Sequence, residues 1–451
     1  MSAQMLPLIA RHRLDAPLLQ HRGVVVSVGR FLAEAQALAA VLPARAYAFN
    51  CCEDRYNFTV GFAAVLLRGQ TNLMPPSRAP ELVRSIAEDY PDCYYLHDGQ
   101  TGPPELASVH NRTDGAGARP ADSIPAIPAA HLAALVFTSG STGKPKPNRK
   151  NWGDLVAGTR LAAGCFLDEL SGTPSVLGTV PPQHMYGLET TVLFALQGGA
   201  VVHSGRPLFP ADVAAALAEL APPRVFVTTP FHLRACVKSG LKFPQIAFVI
   251  SATAPLAREL AAEAESGLGA PVREIYGCTE AGSLASRRTV EGERWSMYPE
   301  MQIAQAAEGP VMTGPQLPEA VPFQDVIEVF DAAHFALRGR STDMLNIAGK
   351  RASMADLVHQ LLSIPGVEDG VMLLPDEAGQ ADGQHVSRLA ALVVAPTLTE
   401  QQILDTLRAR LDPAFLPRPL YKVERLPRSE ASKLPRARLL QMLQELSVRH
   451  G

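Results

Sequence analysis

Apolar residues recur at helical spacing over residues 29–42, where Phe31, Leu32, Ala35, Leu38, Ala39 and Leu42 share one stripe before Pro43 ends the segment. This spacing predicts a helix. A second amphipathic helix is expected over 56–67, with a short strand over 46–51 between them. Apolar runs of strand character follow at 132–137, 176–180 and 224–229, the last running into Pro230 and a further helix. Strands that alternate with helices argue for a parallel sheet covered on both faces. Residues 102–129 are rich in Pro, Gly and Ala and predict an exposed loop. Beyond residue 340, helices at 354–362 and 400–411 alternate with strands at 370–374 and 389–394, a small α+β module. No stretch repeats another.

The run at 132–137 breaks abruptly into Thr138-Ser139-Gly140-Ser141-Thr142-Gly143, followed by Lys144-Pro145-Lys146. Glycines allow positive φ and let the backbone approach a ligand closely. Hydroxyls and exposed N–H groups can donate to phosphate oxygens, and the two lysines add positive charge. The stretch reads as a polyphosphate cradle. It is not a Walker A loop, which needs Gly-Lys followed by Ser or Thr and a helix. Here Pro145 follows Lys144 and offers no hydroxyl to a metal. On these residues alone, a flexible Gly/Ser turn fits equally well.

A chain of 451 residues exceeds one ordinary core, so two or more domains are expected. With 47% hydrophobic and 19% charged residues it belongs with globular proteins rather than disordered ones. A net charge of −3 lacks the basic excess of a nucleic-acid binder. No apolar run reaches the length of a membrane span, and the first residues lack the pattern of a secretory signal. The six cysteines show no metal spacing, and adjacent Cys51-Cys52 reads as a small buried pair. A reducing cytoplasm is the expected location.

Thr138-Ser-Gly-Ser-Thr-Gly-x-Pro-Lys146 resembles the signature of the adenylate-forming superfamily: acyl-CoA synthetases, peptide-synthetase adenylation domains and beetle luciferases. Later stretches resemble that superfamily in the same order. Pro181-Pro-Gln-His-Met-Tyr-Gly187 is similar to its Pro-x-x-His-x-x-Gly, which implies that His184 and Gly187 border the acyl substrate; a structural loop histidine is the plainer alternative. Ser251-Ala-Thr-Ala-Pro255 stands where the superfamily has Gly-Gly-Ala-Pro, so Ala252 and Thr253 would narrow a wall shared by nucleotide and acid. Tyr276-Gly-Cys-Thr-Glu280 resembles Tyr-Gly-x-Thr-Glu, implying that Tyr276 and Gly277 flank adenine and acid, Thr279 meets phosphate and Glu280 binds Mg²⁺. Asp325 and Arg340 keep the spacing of its ribose-binding Asp and Gly-Arg pair. Leu426-Pro-Arg-Ser-Glu-Ala-Ser-Lys433 is similar to the stretch that carries a mobile lysine, here Lys433. Departures are Pro147, Gln324 and Ser432 where glycine is usual, and Thr342 at the hinge.

The resemblance implies an α/β fold. A large N-terminal AMP-binding domain, residues 1–340, would hold stacked α/β sheets and a shortened β-barrel. A small mobile α+β lid would span 341–451. It also implies chemistry. Thr138, Lys146, Glu280 and Lys433 would serve catalysis, and Thr138, Ser139, Gly140, Ser141, Thr142, Gly143, Lys146, Ala252, Thr253, Tyr276, Gly277, Thr279, Asp325, Arg340 and Lys433 would hold ATP, with Mg²⁺ on Glu280. A carboxylic acid would become an acyl-adenylate and then a thioester. The compact length and the Ala252-Thr253 turn look most like bacterial ligases of aryl polyene and xanthomonadin-type pigment pathways, which load a hydroxybenzoate-like acid onto an acyl carrier protein. Free CoA is the alternative acceptor. A catalytically silent nucleotide- or carrier-binding module is the remaining reading. Residues 408–438 carry nine basic and three acidic side chains, a basic face for an acidic carrier protein.

Overall fold

The structure, a computed structural model, describes residues 4–111, 119–138, 145–340, 344–347, 350–375, 388–429 and 434–450. The chain divides into two units. Residues 1–321 with Ala332–His334 form the first, and Pro322–Asp331 with Phe335–Gly451 form the second.

The first unit is built on two large sheets. One is six-stranded, in the order Lys146–Asn151, Leu132–Thr138, Thr71–Met74, Tyr47–Asn50, Cys93–His97, Ser108–His110. Its strands are parallel except Lys146–Asn151, which folds back antiparallel on Leu132–Thr138 with Lys146 opposite Thr138. The other sheet runs through Arg294–Met297, Gly282–Arg288, Val272–Cys278, Phe248–Ser251, Arg224–Thr228, Ser175–Gly178, Val201–His203, Pro17–His21 and Val24–Ser27. From Val272–Cys278 to Pro17–His21 it is parallel. The expected alternation of strands and helices is therefore present.

Helix Val28–Val41 starts where the Ser27 side chain accepts from the Arg30 N–H. Asp54 caps helix Arg55–Leu67 by accepting from Tyr56 and Asn57. That second helix corrects an expectation. It is not amphipathic: every residue from Arg55 to Leu66 is buried. One side packs on strands Tyr47–Asn50 and Thr71–Met74, where Asn50 donates to the Phe58 carbonyl. At its start Arg55 reaches into the other sheet. Its Nη atoms donate to the carbonyls of Gly178, Val180, His203 and Gly205. A helix enclosed this way has no polar face to show. The 102–129 segment is likewise more than a loop. Ser108–His110 adds an edge strand, and Ala126–Pro128 pairs with Met5–Pro7.

In the second unit strand Asp325–Asp331 pairs with His334–Arg340, and Met344–Ile347 pairs with Lys350–Ser353. A three-stranded sheet follows, ordered Asp369–Leu373, Ala390–Val394, Leu420–Lys422. Strand Ala390–Val394 is apolar on both faces. Ala391 and Val393 join the cluster of Leu357, Leu361, Ile403 and Leu407, while Ala390 and Leu392 face Leu426, Leu439 and Leu443. Helices Met354–Leu362 and Glu400–Arg408 thus cover one face and Arg436–His450 the other.

Candidate active site

Strand Leu132–Thr138 ends at the carboxyl edge of a parallel sheet, where α/β folds bind ligands. Thr138 is half-buried, and Lys146, directly across the hairpin, is exposed. Ser139, Gly140, Ser141, Thr142 and Gly143 lie outside the described residues. The base of the hairpin is held by Asn148. Its buried amide donates to the Val136 carbonyl at 3.1 Å and the Lys146 carbonyl at 3.3 Å. Lys150 faces inward two residues later and is only 6% exposed. Its ammonium donates to the Glu280 carbonyl at 2.6 Å.

Glu280 lies in the turn between strands Val272–Cys278 and Gly282–Arg288. The register slips between Tyr276 and Gly277, a bulge that re-aims the strand end. A Cβ at Gly277 would come within 2.3 Å of the Gly282 carbonyl oxygen, so only glycine allows this closeness. The Glu280 side chain is exposed and Thr279 half-buried beside it. The Tyr276 ring is half-buried and tilted against Trp295, with centroids 5.7 Å apart.

On the far side of the turn, Ser283 donates to Glu189 through its backbone N–H at 3.1 Å and its hydroxyl at 2.5 Å. Glu189 sits in a π-turn, Leu188–Leu193, a feature frequent at functional sites. Burial raises the pKa of its carboxyl, while the Ser283 hydrogen bonds and Lys150 act the other way. Burial lowers the Lys150 pKa, and Glu189 opposes that. Just upstream, half-buried His184 directly precedes the short turn Met185–Gly187. A Cβ at Gly187 would lie 2.0 Å from the Pro181 carbonyl oxygen, so this glycine serves close backbone packing. The Tyr186 hydroxyl sits 3.0 Å from the Thr228 carbonyl and 3.1 Å from that of Ile250.

After Ile250 come Ala252, buried, and Thr253, half-buried with φ of 80°. The backbone keeps a glycine-like conformation although the residue is β-branched. This turn is tied down when Leu256 donates its N–H to Glu274, whose other oxygen takes Arg287 and Thr289. The stretches singled out around Thr138, His184, Ala252 and Tyr276 are thus linked within the first unit, through Lys150, Glu189, Tyr186 and Glu274. Asp325 begins a strand and Arg340 ends one in the second unit, and Lys433 lies outside the described residues.

The family model for AMP-binding enzymes matches residues 38–307, more than half of the chain. The chain belongs to the AMP-binding enzyme family. A 4-coumarate–CoA ligase from Rhodobacter capsulatus is 29% identical over 282 residues, 62% of this chain and 67% of that ligase. A 3-hydroxybenzoate–CoA ligase from Aromatoleum is 23% identical over 368 residues, covering 71% and 69% of the two chains. In fold, the chain resembles the O-succinylbenzoate coenzyme A synthetase of Bacillus subtilis in complex with AMP. The TM-score is 0.79 at 17% identity, over 97% of this chain and 98% of that one. The α/β architecture with a large N-terminal and a small C-terminal part is that of adenylate-forming enzymes. The chain is accordingly an AMP-forming acid–thiol ligase.

The chemistry of the Glu280 turn suits a hard divalent cation. Among the described residues no group of three or more His, Cys, Asp or Glu could hold an ion. A single exposed carboxylate on a fixed turn fits Mg²⁺, which takes one or two protein carboxylates and fills its shell with phosphate and water. Sequence reasoning missed Lys150, Glu189 and Glu274. No local signal marks Lys150: Asn148, Arg149 and Lys150 are all polar, and only the structure shows that Asn148 and Lys150 face inward. Among the described residues no helix is long and apolar enough to cross a membrane.

Proposed function

We propose that the chain activates a small aromatic carboxylic acid of the hydroxybenzoate kind and passes it to the phosphopantetheine thiol of an acyl carrier protein. The observation that carries the reading is the Glu280 turn held beside the Thr138–Lys146 hairpin by Lys150. In the first step a carboxylate oxygen of the acid attacks the α-phosphorus of ATP, and the bond to pyrophosphate breaks. In the second, the thiol sulfur attacks the acyl carbon, AMP leaves, and the thiol proton passes to solvent. Both steps are displacements, which positioning and charge placement accelerate without an acid–base side chain.

Thr138, residues 139–143, Lys146 and Thr279 would receive the phosphates. Tyr276 and Gly277 would flank the adenine, and Asp325 and Arg340 would take the ribose. Glu280 would hold Mg²⁺, which when bound neutralises phosphate charge. Lys433 would approach the developing charge during adenylation, on a lid that begins after residue 340. His184, Gly187, Ala252 and Thr253 would border the acid. The side chains of Ala252 and Thr253 favour a flat or short acid, and the hydroxybenzoate and coumarate ligases among the relatives support an aromatic one. A cytoplasmic location and a role in pigment-type secondary metabolism belong to the same proposal.

Free CoA is the second reading, favoured by the relatives' names as CoA ligases. ATP–pyrophosphate exchange with a panel of acids, followed by transfer to CoA or to carrier protein, decides between them. Fastest exchange with a hydroxybenzoate and faster transfer to the carrier are expected. Fastest exchange with palmitate would reject the acid class, and preferred transfer to CoA would reject the carrier.

A further inference from the structure

Lys150 and Glu189 grip the Glu280 turn from its two sides. Lys150 donates to the carbonyl of Glu280 itself. Glu189 receives both the N–H and the hydroxyl of Ser283, three residues on. Between these anchors Gly282 has φ of 77°, and a Cβ there would stand 2.5 Å from Glu189 Oε1. The turn is therefore pressed directly against the carboxylate. Gln316 adds a third hold, donating to the Ser283 carbonyl at 3.1 Å. A turn fixed at residues 280 and 283 has its peptide planes set, and with them the direction in which the Glu280 side chain leaves the backbone.

Lys150 also joins this turn to the phosphate hairpin. It lies on strand Lys146–Asn151, four residues beyond Lys146, which is registered against Thr138. An apolar side chain would fill its place without the cost of burying an ammonium. Only a donor reaching the Glu280 carbonyl fixes the turn to the strand.

We infer that Lys150 and Glu189 are positioning residues that aim the Glu280 carboxylate at the metal held with the nucleotide. The inference rests on the proposed reading of Glu280 as the metal carboxylate. The Glu280 side chain is exposed on a turn, so without these anchors it would sample many directions and bind the cation only part of the time. Groups that orient a metal ligand typically change metal affinity by about 10–100-fold when removed.

The test is calorimetric titration of the full chain with ATP at stepped Mg²⁺ concentrations, and with ATP in EDTA. Lys150→Met is expected to raise the half-saturating Mg²⁺ about tenfold while leaving ATP affinity in EDTA unchanged. Glu280→Gln should do the same, and the Lys150→Met/Glu280→Gln pair should lose no more than either alone. Because Lys150→Met leaves Glu189 buried without its neighbouring cation, Lys150→Met/Glu189→Gln is the companion variant. It keeps an acceptor for Ser283, removes both charges, and should show the same Mg²⁺ shift. If that neutral pair recovers the wild-type Mg²⁺ titration, Lys150 only balances charge and the inference is overturned. An unchanged titration for Lys150→Met beside a shifted one for Glu280→Gln overturns the inference alone. Unchanged titrations for both overturn the metal site and the inference with it. Equal loss of ATP affinity in EDTA would show general damage to the site and also overturn it.

Discussion

Arg428 grips Asp369 with two arms of its guanidinium, Nε to Oδ2 at 2.9 Å and Nη2 to Oδ1 at 2.5 Å. Their side chains are 20% and 13% exposed. Asp369 opens the first strand of the three-stranded sheet, so this pair ties Arg428 and the chain beside it onto that sheet. The basic run over 408–438 is thereby thinned. Arg408 pairs with Asp405, and the Lys422 ammonium turns onto the Leu398 carbonyl. Arg418, Arg425 and Arg438 remain exposed. Arg428→Glu should therefore unfold the second unit more easily, by about 3 kcal/mol, because it leaves one largely buried carboxylate facing another. Urea unfolding measures this. An Arg428→Glu midpoint within error of wild type would show the pair to be energetically idle.

Arg425→Glu and Arg438→Glu should behave differently, changing stability by less than about 0.5 kcal/mol as surface substitutions do. If the exposed arginines guide an acidic carrier protein, these reversals slow its loading while pyrophosphate exchange is untouched. Added salt should slow the wild type in the same way, since exposed charges are screened over about 8 Å at physiological ionic strength. Carrier loading indifferent to both reversals and to salt would remove the docking face.

How legible this architecture is from sequence depends on whether a residue's environment leaves a local trace. The strand ending at Thr138 and the helix Met354–Leu362 announce themselves through apolar runs and turn residues. The glycines at 277 and 187 were readable as special, though the structure gives Gly187 a packing reason in the Pro181 carbonyl. Helix Arg55–Leu67 was misjudged because enclosure on all sides is a tertiary fact, and its residues still scatter into an apolar stripe. Lys150 and Glu189 were missed for a related reason. A buried charge looks like an exposed one until its partners, here 130 and 94 residues away, are in place. Strand Ala390–Val394 is apolar throughout, so no period could say that it serves two cores.

Thr253 holds φ of 80°, a conformation that costs a residue bearing a Cβ about 1–2 kcal/mol. Glycine removes that cost but gives back about 0.5–1 kcal/mol in chain entropy. Thr253→Gly should therefore leave the first unit as stable as wild type or up to about 1 kcal/mol more stable, despite losing a side chain. The same change clears the wall proposed to border the acid, so exchange with bulkier aromatic acids should rise relative to a hydroxybenzoate. A clear fall in the urea midpoint would mean that the threonine side chain contributes packing worth more than the strain.

Among the described residues no cysteine is in a disulfide, and burial pushes several thiols beyond easy ionisation. The Cys165 thiol is raised to about 11 and that of Cys236 to about 12, with Cys52 and Cys93 also raised by burial. At pH 8 a thiol near 11 is ionised on the order of once in a thousand, and the thiolate is the reacting form. Alkylation of the native chain by iodoacetamide, resolved by peptide mass spectrometry, should be slow at these four positions. For Cys165 it should quicken about tenfold per pH unit between 8 and 10, then jump on unfolding in urea. Fast labelling of Cys165 or Cys236 at pH 8 would contradict their burial.

The last prediction concerns Arg55, 1% exposed at the start of the enclosed helix. Its two Nη atoms serve four carbonyls at the carboxyl ends of strands Ser175–Gly178 and Val201–His203 and just beyond them, each at 2.7–2.8 Å. Those ends carry partial negative charge with no strand residue beyond to pair with, so a buried cation is electrostatically at home there. Burial still lowers the guanidinium pKa. The planar fork is what lets one side chain satisfy four acceptors. Arg55→Lys keeps the charge but offers one ammonium on a different stem, which leaves at least one buried carbonyl unpaired. An unsatisfied buried acceptor costs about 1–3 kcal/mol, so Arg55→Lys should lose roughly that much stability. Arg55→Met strands all four and should lose more. Because the lost bonds join the helix to the second sheet, hydrogen exchange should quicken at the start of helix Arg55–Leu67 before it does in strand Leu132–Thr138. A lysine variant as stable as wild type in urea would show that charge alone, and not the fork, holds the two sheets to this helix.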